Sequence, residues 1–371
     1  MKKIFGKVLA ATFLACTCVS AVAQTKAPTL ADVLKASDLS VTGYIDTSYT
    51  YLTGSGTFAG TTNFNRVYDR ERRGFNLHTV DFSVAYQPAS GFGAFVQVDL
   101  GTDADVSAAA GSGAADNTDV QEAYLQWTSG PLTVIGGKFA TLAGAEVIES
   151  PSNLNFSRGI LFGYAIPFTH TGVRATIAPT DQLKFIAGIN NGWDVLKETA
   201  TVPVANGKTI ELGVSATPLK ELTLNAAYYF GDDAGGAAVG ERDVLDLVAL
   251  YNLSDALSFA FNYDRGAQDN ALAGGGTAKW DGIAAFVNYK LNDLWRVAFR
   301  VESFDDKHGF RTGVAQVWKE TTATVAYTPA KAVELRGEVR FDKSNQSSFD
   351  EPDGTPDKKQ HSVGLEAIYK F

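Results

Sequence analysis

The stretch His361-Ser-Val-Gly-Leu-Glu-Ala-Ile-Tyr-Lys-Phe371, at the end of the chain, decides the fold. Every second residue belongs to an apolar and aromatic set: Val363, Leu365, Ala367, Tyr369 and Phe371. The intervening residues are small or charged, apart from one isoleucine: Ser362, Gly364, Glu366, Ile368 and Lys370. A period of two indicates a β-strand with one face in an apolar medium and the other in water. An edge strand that ends on a bare aromatic would aggregate in a soluble sheet, whereas a closed barrel in lipid has no edge.

The same alternation recurs in hairpins from residue 38 to the end. Seven short turns alternate with eight long connections rich in Gly, Asp and Asn, so we predict an all-β fold: a transmembrane antiparallel β-barrel of about sixteen strands over residues 38–371. Fourteen or eighteen strands stay open, because hairpin boundaries are soft. A soluble β-sandwich is disfavoured, because tyrosines recur near strand ends on the apolar face, as in a membrane aromatic girdle. They are Tyr51, Tyr86, Tyr263, Tyr289, Tyr327 and Tyr369.

The first 23 residues have the pattern of a secretory signal peptide. A basic start, the apolar run Val8–Val19 and the small residues of Ala21-Val-Ala23 predict cleavage after Ala23. Residues 24–37 are expected to be a periplasmic lead-in with a short helix. Both cysteines, Cys16 and Cys18, lie in the segment to be removed, so the mature chain has no thiol chemistry.

The predicted mature chain is acidic. It has 371 − 23 = 348 residues, and the loss of three lysines changes the net charge from −9 to −12. Such a chain is a poor partner for nucleic acid. No run of about 18 apolar residues follows the signal, so no transmembrane helix is expected.

One long connection, residues 141–168, differs from the others because it is apolar. Its apolar residues are Val147, Ile148, Leu154, Phe156, Ile160, Leu161 and Phe162. A solvated surface loop has no need of these side chains, and the one large concave surface of a barrel is its interior. We therefore expect this central loop to fold inward against the wall and to narrow a water-filled lumen.

The stretch Ser150-Pro-Ser-Asn-Leu-Asn-Phe-Ser-Arg-Gly-Ile-Leu-Phe-Gly-Tyr-Ala-Ile-Pro-Phe-Thr-His-Thr-Gly-Val-Arg174 resembles the OmpL-like family of outer-membrane β-barrel porins. Gly43-Tyr-Ile-Asp-Thr-Ser-Tyr49 and Gln121-Glu-Ala-Tyr-Leu-Gln126 fit the same resemblance, which covers essentially the mature chain. It implies a porin of a Gram-negative outer membrane, a passive channel for small hydrophilic solutes or ions rather than an enzyme.

The resemblance also implies partners. The ending with Tyr369 and Phe371 is similar to the signal by which bacterial barrels are addressed to the barrel assembly machinery. Lipid, lipopolysaccharide and small solutes are the other expected partners, and a homotrimer is expected by analogy with porins of this size. No cofactor or metal is needed.

Charged residues on the central loop and on the inward strand faces are candidates for a pore constriction, because charged rings set pore selectivity. They are Glu146, Glu149, Arg296, Arg300, Arg336 and Arg340. Acid on the loop opposite a basic wall predicts a transverse field; the alternative is that these charges simply pair across strands. Arg158 is a candidate anchor between the loop and a wall carboxylate. The cluster of Arg66, Arg70, Arg72 and Arg73 is expected to be a solvated loop, with the outer mouth and lipopolysaccharide phosphates as alternatives.

Two other functions are alternatives to a channel. An outer-membrane lipase or esterase would need a nucleophile set such as Ser157, His170 and Asn155, although no catalytic motif surrounds them. The second alternative is a non-conducting surface-binding barrel.

Overall fold

The computed structural model describes residue 37 and residues 39–112, 117–197, 207–232 and 240–371. The predicted signal peptide (1–23) and most of the lead-in (24–36) lie outside the described residues. Sixteen strands form one closed barrel. In chain order they are β1 Leu39–Leu52, β2 Arg73–Tyr86, β3 Gly91–Leu100, β4 Thr118–Ser129, β5 Leu132–Ala140, β6 Thr169–Thr180, β7 Leu183–Asn190, β8 Thr209–Leu219, β9 Leu222–Asp232, β10 Glu241–Asn252, β11 Leu257–Gln268, β12 Ala278–Lys290, β13 Trp295–Asp306, β14 Gln316–Ala330, β15 Val333–Ser344 and β16 Lys359–Lys370.

The barrel has the simplest antiparallel order. Each strand pairs with its neighbours in sequence, and β16 closes the sheet by pairing with β1, with Tyr369 opposite Ile45 and Val363 opposite Tyr51. The predicted strand number of sixteen is therefore confirmed. Short turns lie at the end of the barrel that holds the C-terminus; the long connections lie at the other end.

The two faces of each strand differ as the sequence predicted. In β16, Val363 and Leu365 point outward with exposed fractions of 48% and 59%, while Ser362 and Glu366 are buried inside. An outward apolar band around a closed barrel is the surface that lipid requires. No helix among the described residues is long and apolar enough to cross a membrane.

The short elements all belong to long connections. They are helix α1 at Thr102–Ser107, a 3₁₀ turn at Ser150–Ser152, a π-helical turn at Leu161–Ala165, and a pair of two-residue strands at Phe349–Asp350 and Pro356–Asp357. The apolar core lies inside the barrel, between the wall and the connections 53–72 and 141–168. Its largest buried side chains include Phe58, Phe162, Trp280, Phe304 and Trp318.

The connection 53–72 corrects an expectation. Its arginines are expected in a solvated loop, and Arg73 at the start of β2 is indeed exposed, but Arg66 is only 1% exposed and Phe58 is completely buried. The Arg66 guanidinium lies 2.9 Å from the Asp342 carboxylate of β15, and Phe58 packs edge-on against Trp318 at 5.2 Å between ring centroids. A wall carboxylate and a wall aromatic therefore draw this connection inward, and neither is visible from the loop's own composition.

The barrel closes beside a glycine. Phe371 and Gly43 exchange two backbone hydrogen bonds of 3.0 Å, and the Phe371 ring lies 5.6 Å from the ring of Phe82. A β-carbon at residue 43 would lie 2.2 Å from the Asp81 carbonyl oxygen and 2.7 Å from the Phe371 ring. Gly43 thus makes room for the terminal aromatic at the closing seam.

Gly43→Ala is expected to lower the free energy of unfolding by about 1–3 kcal/mol, because the added methyl overpacks the seam. Urea titration of protein refolded in lipid vesicles measures the change. Gly337→Ala on β15 is the matched control, because a β-carbon there would meet only Leu365, at 3.7 Å. Equal destabilisation by the two variants would contradict this account of the seam.

Candidate functional site

The central loop, residues 141–168, lies in the lumen against one side of the wall, as predicted. Its first part crosses three neighbouring strands and donates one backbone N–H to each. Leu142 donates to the Tyr229 hydroxyl on β9 at 2.8 Å. Gly144 donates to Asp246 on β10 at 3.0 Å, and Ala145 donates to Asn262 on β11 at 3.1 Å. These bonds fix the height and direction of the loop.

The returning part of the loop is held by two wall carboxylates. Glu338 on β15 accepts from the N–H groups of Phe156 and Ser157 at 2.7 and 3.0 Å. Glu302 on β13 accepts from the N–H of Ile160 at 2.5 Å. Backbone donors that are buried away from water need acceptors, and the wall supplies them here.

Arg300 on β13 is the centre of a buried ion-pair network. It is fully buried, with Glu146 of the loop at 2.7 Å and Glu320 of β14 at 2.8 Å. The same guanidinium donates to the Ser157 carbonyl at 2.6 Å. A buried charge is tolerated only when it is paired and hydrogen-bonded. Arg300 therefore holds Glu146 on the outgoing part of the loop and Ser157 on the returning part.

The other three wall arginines act in the same way. Arg336 donates to the Asn153 carbonyl at 3.0 Å, and Arg340 donates to the Arg158 carbonyl at 2.7 Å. Arg296 donates to the Leu154 carbonyl at 2.7 Å. Each also pairs with a wall carboxylate: Glu334 for Arg296, Glu334 and Glu366 for Arg336, and Asp342 for Arg340. Arg300, Arg336 and Arg340 are buried between loop and wall, where they hold the loop in position. Arg296 is only partly buried and also lines a cavity of about 530 Å³. A role of these arginines in a pore constriction stays a prediction.

The two loop glutamates, predicted together, are separated. Glu146 is 6% exposed and belongs to the Arg300 network. Glu149 is half-buried and lines a cavity of about 510 Å³ next to the C-terminus, together with Asp81 and Glu122. Lys370 is the one basic residue in the lining of this cavity. A loop carboxylate therefore does face an aqueous space, but with acidic rather than basic neighbours.

The comparisons with known proteins agree with this geometry. A family model described as "Putative beta-barrel porin-2, OmpL-like" matches residues 38–371. The chain belongs to this family of OmpL-like β-barrel porins. No curated protein matches the chain.

Several solved structures have a similar fold. The anion-selective porin from Comamonas acidovorans has a TM-score of 0.66 and 13% identity, with 90% of this chain and 99% of that chain covered. The outer membrane channel DcaP of Acinetobacter baumannii has a TM-score of 0.59 and 14% identity, covering 90% and 97%. OmpT of Vibrio cholerae, solved in a trimer form, also has a TM-score of 0.59 and 14% identity, covering 90% and 99%. At these identities the likeness establishes the fold alone.

Arg158 of this OmpL-like porin braces the loop instead of tying it to a wall carboxylate. Its guanidinium donates to the carbonyls of Val147, Ile148 and Phe156 at 3.0, 2.6 and 3.0 Å. It therefore joins the outgoing and returning parts of the loop. The expected carboxylate partner is replaced by backbone oxygens, because the loop folds back on itself around this side chain.

The residues considered for hydrolysis are engaged elsewhere. The Ser157 hydroxyl lies 3.1 Å from an Arg300 nitrogen, and the Asn155 amide donates to Thr324 at 2.7 Å. The His170 ring lies 3.1 Å from the Gly192 carbonyl oxygen and stacks on Tyr229. These contacts fit structural roles in the porin.

Tyr229, Asp246 and Asn262 hold the loop but were not selected from the sequence. Their inward position on the strands was the available signal, because alternation places all three in the lumen. Alternation does not show whether an inward residue meets water or a loop, and that difference decides their role.

Glu146→Gln is expected to lower the free energy of unfolding by about 1.5–3 kcal/mol, since a charge-assisted hydrogen bond to buried Arg300 is lost. Glu149→Gln makes the same chemical change on the same loop, at a half-buried site, and should leave stability nearly unchanged. Urea titration in vesicles compares them. A larger loss in Glu149→Gln would show that the network around Arg300 does not hold the loop.

Proposed function

We propose that this porin is a passive diffusion channel for small hydrophilic solutes and ions. The observation that carries the proposal is the position of the central loop: it is fixed against β9–β15 and leaves Glu149 facing an aqueous cavity. A loop held against one wall narrows a lumen without needing to fill it. Membership of the porin family supports the same conclusion.

The channel works in the bacterial outer membrane. The sequence pattern of residues 1–23 supports export by a cleaved signal peptide in a Gram-negative cell. The outward apolar band supports contact with lipid and lipopolysaccharide, and the ending at Tyr369 and Phe371 supports recognition by the barrel assembly machinery. A homotrimer is supported by the trimer form of the similar OmpT.

The end of the barrel with the short turns and the C-terminus is the inner, periplasmic mouth, because outer-membrane barrels have short periplasmic turns and long outer loops. Glu149, Asp81 and Glu122 give this inner mouth a negative charge. Three carboxylates and a single lysine line the cavity there. Fixed carboxylates beside a conducting path concentrate cations and repel anions, and salt screens this effect over about 10 Å at 0.1 M. The inner mouth therefore favours cations, most strongly at low ionic strength.

Glu149→Gln is expected to shift the cation-to-anion permeability ratio toward anions while single-channel steps persist. The measurement is the reversal potential of the refolded protein in a planar bilayer under a salt gradient. Glu221→Gln is the matched control, because Glu221 lies in a short turn beside Lys220, at 3.3 Å, and does not line the cavity. An unchanged ratio in Glu149→Gln would contradict the role of this carboxylate. The absence of any current from folded wild-type protein would contradict the channel itself.

A further inference from the structure

The outer end of the lumen, where the long connections lie, contains a second cavity, which is lined by basic rather than acidic side chains. Its volume is about 320 Å³, and the long connections 53–72, 101–117, 141–168 and 307–315 each contribute residues to its lining. Three of the lining residues are arginines, Arg66, Arg70 and Arg311, and the described lining contains no Asp or Glu. Aromatic rings complete it: Phe64, Tyr164 and Phe168.

Arg70 is the arginine whose charge is least compensated. The described part of the chain places no carboxylate within ion-pair distance of it. Its guanidinium carbon lies 4.3 Å from the centroid of the Phe64 ring, and its Nε is 3.4 Å from the Arg66 carbonyl. An arginine stacked on an aromatic face keeps its outer donors available for a planar anion.

Arg66 adds a buried, incompletely bonded guanidinium to the same cavity. It is 1% exposed and pairs with Asp342 at 2.9 Å. Its Nε has no hydrogen-bond acceptor among the described residues, and its Nη1 has only Asp69, at the longer ion-pair distance of 3.5 Å. A buried donor without an acceptor is costly, so the positive charge of Arg66, behind the wall of this cavity, is only partly compensated.

The aromatic part of the lining is rigidly held. The Tyr164 hydroxyl donates to the Phe64 carbonyl at 2.7 Å, which joins the central loop to the connection 53–72. Arg311 donates to the Tyr164 carbonyl at 2.6 Å and lies over the Trp193 ring at 4.4 Å. Contacts between the connections 53–72, 141–168 and 307–315 therefore form the cavity.

We propose that this outer cavity binds small organic monoanions that have a flat apolar body, such as arene carboxylates. The carboxylate would pair with Arg70, with the partly compensated charge of Arg66 behind it, and the ring would lie among Phe64, Tyr164 and Phe168. The volume is at the lower end of the range for small-molecule sites, about 300–1,000 Å³. The proposal rests on the proposed channel function and adds a binding site at its outer mouth, where the charge is opposite to that of the inner mouth.

Saturation-transfer NMR with benzoate tests the binding, using full-length protein refolded in detergent micelles. This readout needs no ion current, so it can fail while the channel conducts, or succeed in a barrel that does not. We expect a saturable benzoate signal from wild-type protein, and much weaker saturation of benzamide, which lacks the charge, and of acetate, which lacks the ring.

Arg70→Gln is expected to weaken benzoate binding roughly tenfold or more, because a charge-assisted contact contributes about that factor in affinity. Arg73→Gln is the matched control: Arg73 also stacks on an aromatic ring, that of Tyr51 at 5.0 Å, but it is exposed and does not line the cavity. Both variants must keep wild-type heat modifiability, which reports the folded barrel. Unchanged benzoate binding in Arg70→Gln, or equal loss in Arg73→Gln, would overturn the proposal.

Discussion

A segment of backbone inside a barrel must find hydrogen-bond partners there, and this requirement organises the interior of the porin. The central loop has little regular secondary structure of its own, so the wall and its own side chains satisfy its backbone groups. Glu302 and Glu338 accept its N–H groups, while Arg296, Arg300, Arg336 and Arg340 donate to its carbonyls. The charged wall on the β13–β15 side is therefore primarily a scaffold for the loop.

Because most of the wall charges hold the loop in place, ion selectivity must arise mainly from other charged residues. Arg300, Arg336 and Arg340 are buried and already have carboxylate partners, so they add little field to the open part of the lumen. The charges that line aqueous spaces lie at its two ends. At the inner mouth acidic side chains outnumber basic ones in two cavities; one is lined by Asp81, Glu122, Glu149 and Lys370, and the other by Asp255, Lys290, Asp293, Arg296 and Glu334. At the outer mouth the charges are arginines among aromatic rings. The two mouths thus have opposite character, with the loop between them.

The sequence was sufficient for the barrel, because the period of two, the turn residues and the terminal aromatic act locally. In β16, for example, Val363 and Leu365 point outward and Ser362 and Glu366 are buried, as the alternation predicted. Its inward-folded central loop was also predictable, from apolar residues that a solvated loop does not need. The site was less predictable: Glu146 and Glu149 look equivalent in sequence, yet one meets Arg300 and the other meets water. Which wall residue lies opposite each loop residue depends on strand register across the barrel, a long-range property.

The central claim is that the anchored loop narrows the lumen but leaves it open. Single-channel conductance in a planar bilayer tests this most directly, with wild-type protein compared with a variant in which residues 146–159 are replaced by a short Gly-Ser linker. The account predicts discrete ohmic steps for the wild type and larger steps for the shortened loop. A silent but fully folded wild type, or equal conductance of the two proteins, would contradict it.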